Sequence, residues 1–282
     1  MKTKSTHIMC KDHLVSGEEF QIKETSRKGI LKTLPVPEPN KIGDYYASES
    51  YISHTDSKDN FIDKIYQLIK KISIKRKYRT ILKYKKDSKT LLDIGSGTGD
   101  FLNVSKDYNI SSIGTEPNEH ARELSRKKGN TIVEYLDQIQ DKKFDVITMW
   151  HVLEHVYDPT MYLKKIHNLL HRDGLLLIAV PNYKSYDCKY YKSNWAAYDV
   201  PRHLWHFSKS GMKQLVEEQD FKITKLKSLP FDSFYVSLLS EEIKSGKKNI
   251  VKAFYIGLLS NLKALSTKEY SSILYIVEKN TK

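Results

Sequence analysis

Leu92-Asp-Ile-Gly-Ser-Gly-Thr-Gly99 is the stretch on which the fold turns. It begins inside Thr90-Leu-Leu-Asp-Ile94, a short apolar run with the length of a buried strand. Gly95 and Gly97 then allow the backbone to turn sharply and to approach a ligand with no Cβ in the way. A helix is expected from about Asp100, and its free N–H groups and dipole favour a negative group at the loop. By itself a glycine-rich turn is weak. Its weight comes from Ser111-Ser-Ile-Gly-Thr-Glu116, a second strand whose last residue, Glu116, stands 21 positions after Gly95. In nucleotide-binding βαβ units an acid there accepts hydrogen bonds from ribose hydroxyls.

The same rhythm continues outward. Asn118 is placed to cap a helix running to about Lys128, Thr131 to Leu136 reads as a third strand, and Phe144 to Trp150 as a fourth. Asp158-Pro159 starts a helix that reaches His171, and Leu175 to Val180 is a fifth strand closed by Pro181. An aromatic-rich insertion, 183–207, precedes a helix near 208–219, a strand near 221–229, a helical insertion over 231–265 and a last strand at 272–278. Alternating helices and nearly continuous apolar strands predict an α/β, doubly wound, seven-stranded and mostly parallel sheet. Residues 1–60 read as irregular, since Leu34-Pro-Val-Pro-Glu-Pro-Asn40 excludes helix. The expected division is 1–86, with a basic helical region at 61–84, and 87–282.

Composition sets the outer limits. With 39% hydrophobic and 11% aromatic residues the chain can build a full core, and no apolar run has the length of a membrane span. No signal-peptide pattern follows the basic start, and Cys10 and Cys188 are the only cysteines, which fits a reducing, cytoplasmic setting. The net charge of +13 is mostly N-terminal, with ten basic residues and one acid, Asp87, between Lys70 and Lys89. Such a cluster suits nucleic acid. Apolar residues at helical spacing among the lysines (Ile65, Leu68, Ile69, Ile72, then Ile74, Tyr78, Ile81, Leu82) favour a solvated helix face instead.

Two features choose the cofactor. A nicotinamide fingerprint would carry its third glycine at position 100, where Asp100 stands, and an acid there opposes a pyrophosphate. The amine of S-adenosylmethionine is positive. At this point the chain resembles class I S-adenosylmethionine-dependent methyltransferases, through Leu92–Gly99, Gly114-Thr-Glu-Pro117 and Phe144-Asp-Val-Ile-Thr-Met-Trp-His-Val-Leu-Glu-His155. Within them it resembles the subgroup of ubiquinone-biosynthesis O-methyltransferases, through Trp195-Ala-Ala-Tyr-Asp-Val-Pro-Arg-His-Leu-Trp-His-Phe-Ser208. The resemblance covers residues 88–230. It implies Gly95 and Gly97 at the methionine end of the cofactor, Glu116 at the ribose and Leu136 near the adenine, with Pro117 also among the cofactor-binding residues. Trp150 and His151 would line the floor, and Gly43–His54 would be a lid carrying Tyr46, Tyr51 and His54.

Methyl transfer then needs alignment, exclusion of water and, for a hydroxyl or amine acceptor, a proton acceptor. His203 is the first candidate, with His155 and His151 behind it, and Arg202 and Asp199 would orient a small-molecule acceptor. His151-Val-Leu-Glu-His155 also matches the zinc-protease pattern H-x-x-E-H, but Asp158-Pro159 leaves it little helix. Cys10-Lys-Asp-His13 lacks a second ligand pair, so no metal is expected. The aromatic segment Tyr186 to Phe207 is either a packed flap or a roof over the acceptor. The competing function is a module that binds RNA or protein through residues 70–89; Trp150-His-Val-Leu stands where base-amine methyltransferases carry an Asn/Asp-Pro-Pro-aromatic tetrapeptide, which favours the small-molecule reading. Oligomeric state and acceptor are not legible.

Overall fold

The computed structural model describes residues 7–46 and 61–280, and its strands fall into two sheets. Strands β1 (His7–Lys11), β2 (Glu19–Glu24), β3 (Ile30–Leu34) and β9 (Trp205–Phe207) form an antiparallel sheet in that order. This overturns the expectation that the first 60 residues are irregular. Phe20 and Ile22 alternate inward with charged or polar neighbours, a two-residue signal too short to stand out. The sheet is completed from far away, since Ile30 and Leu31 pair with Phe207 and His206.

Strands β4 (Thr90–Ile94), β5 (Ser111–Thr115), β6 (Thr131–Val133), β7 (Phe144–Trp150), β8 (Leu170–Pro181), β10 (Phe221–Ser228) and β11 (Ser272–Lys279) form the expected seven-stranded, mostly parallel sheet. Their order is β10-β11-β8-β7-β4-β5-β6. Leu91, Leu92, Asp93 and Ile94 are all buried, as in a strand covered on both faces. Ile94 pairs with Thr115 on one side and Met149 on the other, all parallel. The loops after β4, β5 and β7 therefore leave the sheet at one carboxyl edge, where open α/β sheets bind ligands. The third strand stops at Val133, short of the expected Leu136, which instead opens a one-turn 3-10 helix.

Helices α1 (Phe61–Tyr84), α2 (Asp100–Val104), α3 (Glu119–Lys127), α4 (Pro159–Leu169), α5 (Tyr186–Tyr191), α6 (Lys209–Glu217), α7 (Asp232–Ser245) and α8 (Ile250–Thr267) complete the described chain. Asn118 caps α3 as expected, its side chain accepting the Ala121 amide at 2.9 Å, an interaction of about 1 kcal/mol. No helix among the described residues is long and apolar enough to cross a membrane.

Two compact units share the chain. Of the described residues, one comprises 7–46, 151–162 and 179–276, the other 61–150, 163–178 and 277–280. The chain passes from the second to the first between Trp150 and His151. The first unit has a core of Phe20, Ile22, Leu31, Tyr191, Trp195 and Tyr198, with both cysteines inside it as free thiols. Burial pushes the Cys10 thiol up to about 12, so Cys10 is a packing residue. Of the aromatic side chains of 186–198, Tyr191, Trp195 and Tyr198 are core, and Tyr186 and Tyr190 are half-buried. Trp195 is 2% exposed and donates from its indole to Asp187 at 2.7 Å, as a packed side chain does.

In the second unit the basic helix α1 is anchored, with Tyr78 and Ile81 fully buried. Tyr78 stacks on Phe101 and Tyr108 at 4.5 and 4.9 Å and donates to the Phe101 carbonyl. Lys70 pairs with Asp100, and the Lys77 ammonium sits 4.2 Å from the Trp150 ring centroid.

Candidate cofactor and acceptor sites

The glycine loop is built by backbone conformation. Gly95, Gly97 and Gly99 have φ of 68°, 54° and 78°, the left-handed region that side chains resist. A Cβ on Gly97 would meet no atom within 4 Å, so the loop faces open space, whereas one on Gly99 would lie 2.1 Å from Ser125 Oγ. The Gly97 amide donates to Glu116 Oε2 at 2.9 Å, and the Asn118 amide donates to Oε1 at 3.0 Å. Burial raises the Glu116 pKa, and these two N–H bonds oppose the rise. Loop and acid, inferred separately from sequence, thus meet.

Beneath the loop, Asp93 is buried and accepts from Thr148 at 2.6 Å. Burial pushes its carboxyl up to about 7 against that bond. Leu136 is buried, Pro117 is exposed, and Trp150 stands edge-on to Phe101 at 5.8 Å. The Trp150 indole N–H is buried without a hydrogen-bond partner. An open cradle over Gly97, a carboxylate held by amides and an orphaned indole donor fit a ribose-bearing ligand. Asp100 plays a different part from the one inferred: its carboxylate is taken by Lys128 at 2.8 Å and by Lys70. These bonds hold it below the usual range despite partial burial.

In the other unit the turn 151–156 brings a second set of groups together. Its residues form no helix, so His151 and His155 do not share a helical face. The Leu204 and Trp205 amides donate to the Glu154 carbonyl at 2.8 and 3.1 Å, drawing the turn onto the Pro201-Arg-His203 segment. His155 and His203 rings consequently meet edge to face at 4.6 Å. His203 donates from Nδ1 to the Ala197 carbonyl at 2.9 Å, and His155 Nδ1 lies 3.0 Å from the Arg202 carbonyl. Tyr46 Oη lies 3.0 Å from the same Nδ1, so this candidate cofactor residue reaches His155; Tyr51 and His54 lie outside the described residues. Burial and the neighbouring His203 push His155 down to about 4.

His151 has φ of 59° and is 38% exposed at its side chain. Burial works against its charge, but Asp232 Oδ2 at 3.0 Å and Glu154 Oε1 at 3.4 Å raise it to about 10. The two carboxylates thus favour the charged imidazole, which suits a proton donor better than the base expected of it. Arg202 is also corrected. It is 1% exposed, and its guanidinium is spent on Asp199, on Asp12 at 2.9 Å and on the Tyr45 carbonyl at 2.8 Å. It braces the turn and presents nothing to an acceptor. Lys77, Asp93 and Asp232 were missed in sequence because their partners Trp150, Thr148 and His151 stand 55 to 81 positions away.

Comparisons with known proteins agree with the geometry. The ubiquinone biosynthesis O-methyltransferase of Actinobacillus pleuropneumoniae serotype 7 is 33% identical over 108 residues, 33% of this chain and 46% of that one. That of Pelagibacter ubique is 33% identical over 100 residues, 33% of this chain and 42% of that one. The match therefore spans less than half the length of these relatives. Among solved structures, magnesium protoporphyrin IX methyltransferase from Synechocystis aligns with a TM-score of 0.57 at 12% identity, over 86% of this chain and 100% of that one. An S-adenosylmethionine-dependent methyltransferase from Archaeoglobus fulgidus aligns at 0.51 and 21% identity, over 74% of this chain and 94% of that one. At these identities the two structures speak for the fold alone. The family described as Methyltransferase domain matches residues 51–226, well over half of the sequence, and the chain belongs to that family.

Proposed function

We propose that this chain is an enzyme that transfers a methyl group from S-adenosylmethionine to a small-molecule acceptor, in the cytoplasm. The observation that carries the reading is the bond from the Gly97 amide to Glu116, which assembles loop and acid at the carboxyl edge of β4 and β5. Gly95 and Gly97 would take the methionine end, Glu116 and Pro117 the ribose, Leu136 the adenine, and Trp150 the floor. When bound, the cofactor supplies an electrophilic methyl group whose carbon–sulfur electron pair leaves with sulfur. A hydroxyl or amine acceptor forms the new bond with its own lone pair and gives up a proton. His203 and His155 suit that proton: with Nδ1 turned to a backbone carbonyl, each neutral ring keeps a lone pair at Nε2. The two free thiols agree with a reducing compartment.

Calorimetry with S-adenosylmethionine and S-adenosylhomocysteine tests the first half, and incorporation of labelled methyl into a metabolite pool tests the second. Absence of binding to both compounds ends the reading. With an acceptor in hand, His203→Ala is expected to lower turnover by about 100-fold or more; full turnover would remove His203 from the chemistry.

A further inference from the structure

A crossover helix of a parallel sheet ordinarily buries apolar side chains, and an arginine goes inside only with partners. The residues that α3 buries are Arg122 and Ser125, three positions apart on one face. Ser125 borders the glycine turn, with its Oγ 2.1 Å from where a Cβ on Gly99 would stand. It accepts from the Asn130 side chain, which also donates to the Gly99 carbonyl at 3.1 Å. Arg122 is 6% exposed and serves the other half of the candidate cofactor site. Its Nη1 donates to the Glu116 carbonyl at 2.8 Å and to the Pro117 carbonyl at 2.6 Å, and its Nη2 lies 3.6 Å from the Glu134 carboxylate beyond β6.

Every polar group of Glu116 is thereby held. Its N–H donates to the Val133 carbonyl at 3.0 Å, its carbonyl accepts from Arg122, and its two carboxylate oxygens accept from the Gly97 and Asn118 amides. A carboxylate offers about four acceptor positions, so each oxygen keeps one for a ligand hydroxyl. Without Arg122 the carbonyls of 116 and 117 lose their side-chain donor, and Pro117 brings no N–H of its own with which to re-form the turn.

We infer that Arg122 is a positioning residue for the cofactor: from inside α3 it fixes the main chain at Glu116 and Pro117, and so aims the carboxylate at the ribose hydroxyls. Its assignment rests on the methyl-transfer reading, in which Glu116 is the ribose acceptor. The buried charge acquires a reason in this way. Burial raises the Glu116 carboxyl, and the Arg122 charge joins the Asn118 and Gly97 amides in opposing that rise. An arginine that only fills space affects all ligands alike, whereas a positioning arginine sets how well a ribose is told from its deoxy counterpart.

The test is calorimetry of the full chain with S-adenosylhomocysteine and with its analogue lacking both ribose hydroxyls. The unaltered chain is expected to bind the parent compound about 10- to 100-fold more tightly, the worth of bonds to a charged acceptor. Arg122→Met is expected to shrink that ratio to within about threefold while leaving the analogue's affinity nearly unchanged, and adding Glu116→Gln lowers the ratio no further, because both act on one contact. Arg126→Met, at an exposed position of the same helix, leaves both affinities unchanged. Nitrogen-15 spectra of the unaltered chain guard against a variant that misfolds, because the parent compound must shift the Arg122 Nε signal more than the analogue does. An undiminished ratio in folded Arg122→Met, or equal Nε shifts with the two compounds, overturns the positioning role alone. Failure of the unaltered chain to bind either compound sinks the methyltransferase reading itself.

Discussion

The Gly97 amide and the Glu116 carboxylate are joined at 2.9 Å, so the turn after β4 and the acid after β5 are held by one charge-assisted bond. Glu116→Gln keeps the shape and removes the charge. The expected result is a loss of about 10- to 100-fold in S-adenosylhomocysteine affinity, since bonds to a charged acceptor carry about 1.5–3 kcal/mol. Calorimetry measures it. Unchanged affinity would detach Glu116 from the cofactor.

Alanine at two glycines of the loop separates binding from folding. Gly97→Ala places its Cβ in open space at φ 54°, so the cost to stability is the left-handed strain of about 1–2 kcal/mol. Its Cβ also fills the cradle, and cofactor binding is expected to be lost. Gly99→Ala meets Ser125 at 2.1 Å and Asn130 at 2.3 Å on top of the same strain, so it should unfold at clearly lower urea. Equal midpoints for the two variants would contradict this account.

Arg202 and Asp12 make a fully buried pair at 2.9 Å. Arg202→Met leaves Asp12 and Asp199 without their guanidinium, a defect that costs about 3–5 kcal/mol in urea unfolding. Burial alone would raise the Asp12 pKa, but the Ser16 amide and Arg202 bring it below its ordinary value. A depressed acid stabilises the fold above its unfolded pKa, and that share is lost as pH falls through the folded one. The unaltered chain should therefore lose stability on acidification in the range below about pH 4, and Arg202→Met should lose less of it.

Asp93 behaves in the opposite sense. Burial pushes it up to about 7, so between its unfolded pKa, near 4, and 7 the folded chain holds a proton that the unfolded chain has released. Stability from this group falls as pH rises across that window. Asp93→Asn should flatten the corresponding slope in thermal unfolding; an identical slope in both proteins would show that Asp93 does not titrate there.

The parallel sheet was legible in the sequence because each strand is a local apolar run and each crossover helix carries its own period. The Asn118 cap, the strand limits of 90–94 and 144–150, and the pairing of the glycine loop with Glu116 are all short-range patterns. The β1–β3 sheet was not legible, since its inward positions alternate with charged residues and its fourth strand comes from beyond residue 204. Charges misled for the same reason. Asp100 and Arg202 look available in sequence, and only packing shows them answered by Lys70, Lys128, Asp12 and Asp199.

Sequence by itself determined the fold class and the glycine-rich turn after β4, because backbone preference and hydrophobic period act over a few residues. Tertiary structure decided which partners each histidine meets. Asp232 beside His151 and the carbonyls of Arg202 and Ala197 beside His155 and His203 come from distant parts of the chain, so none of these pairings is encoded within one turn of it.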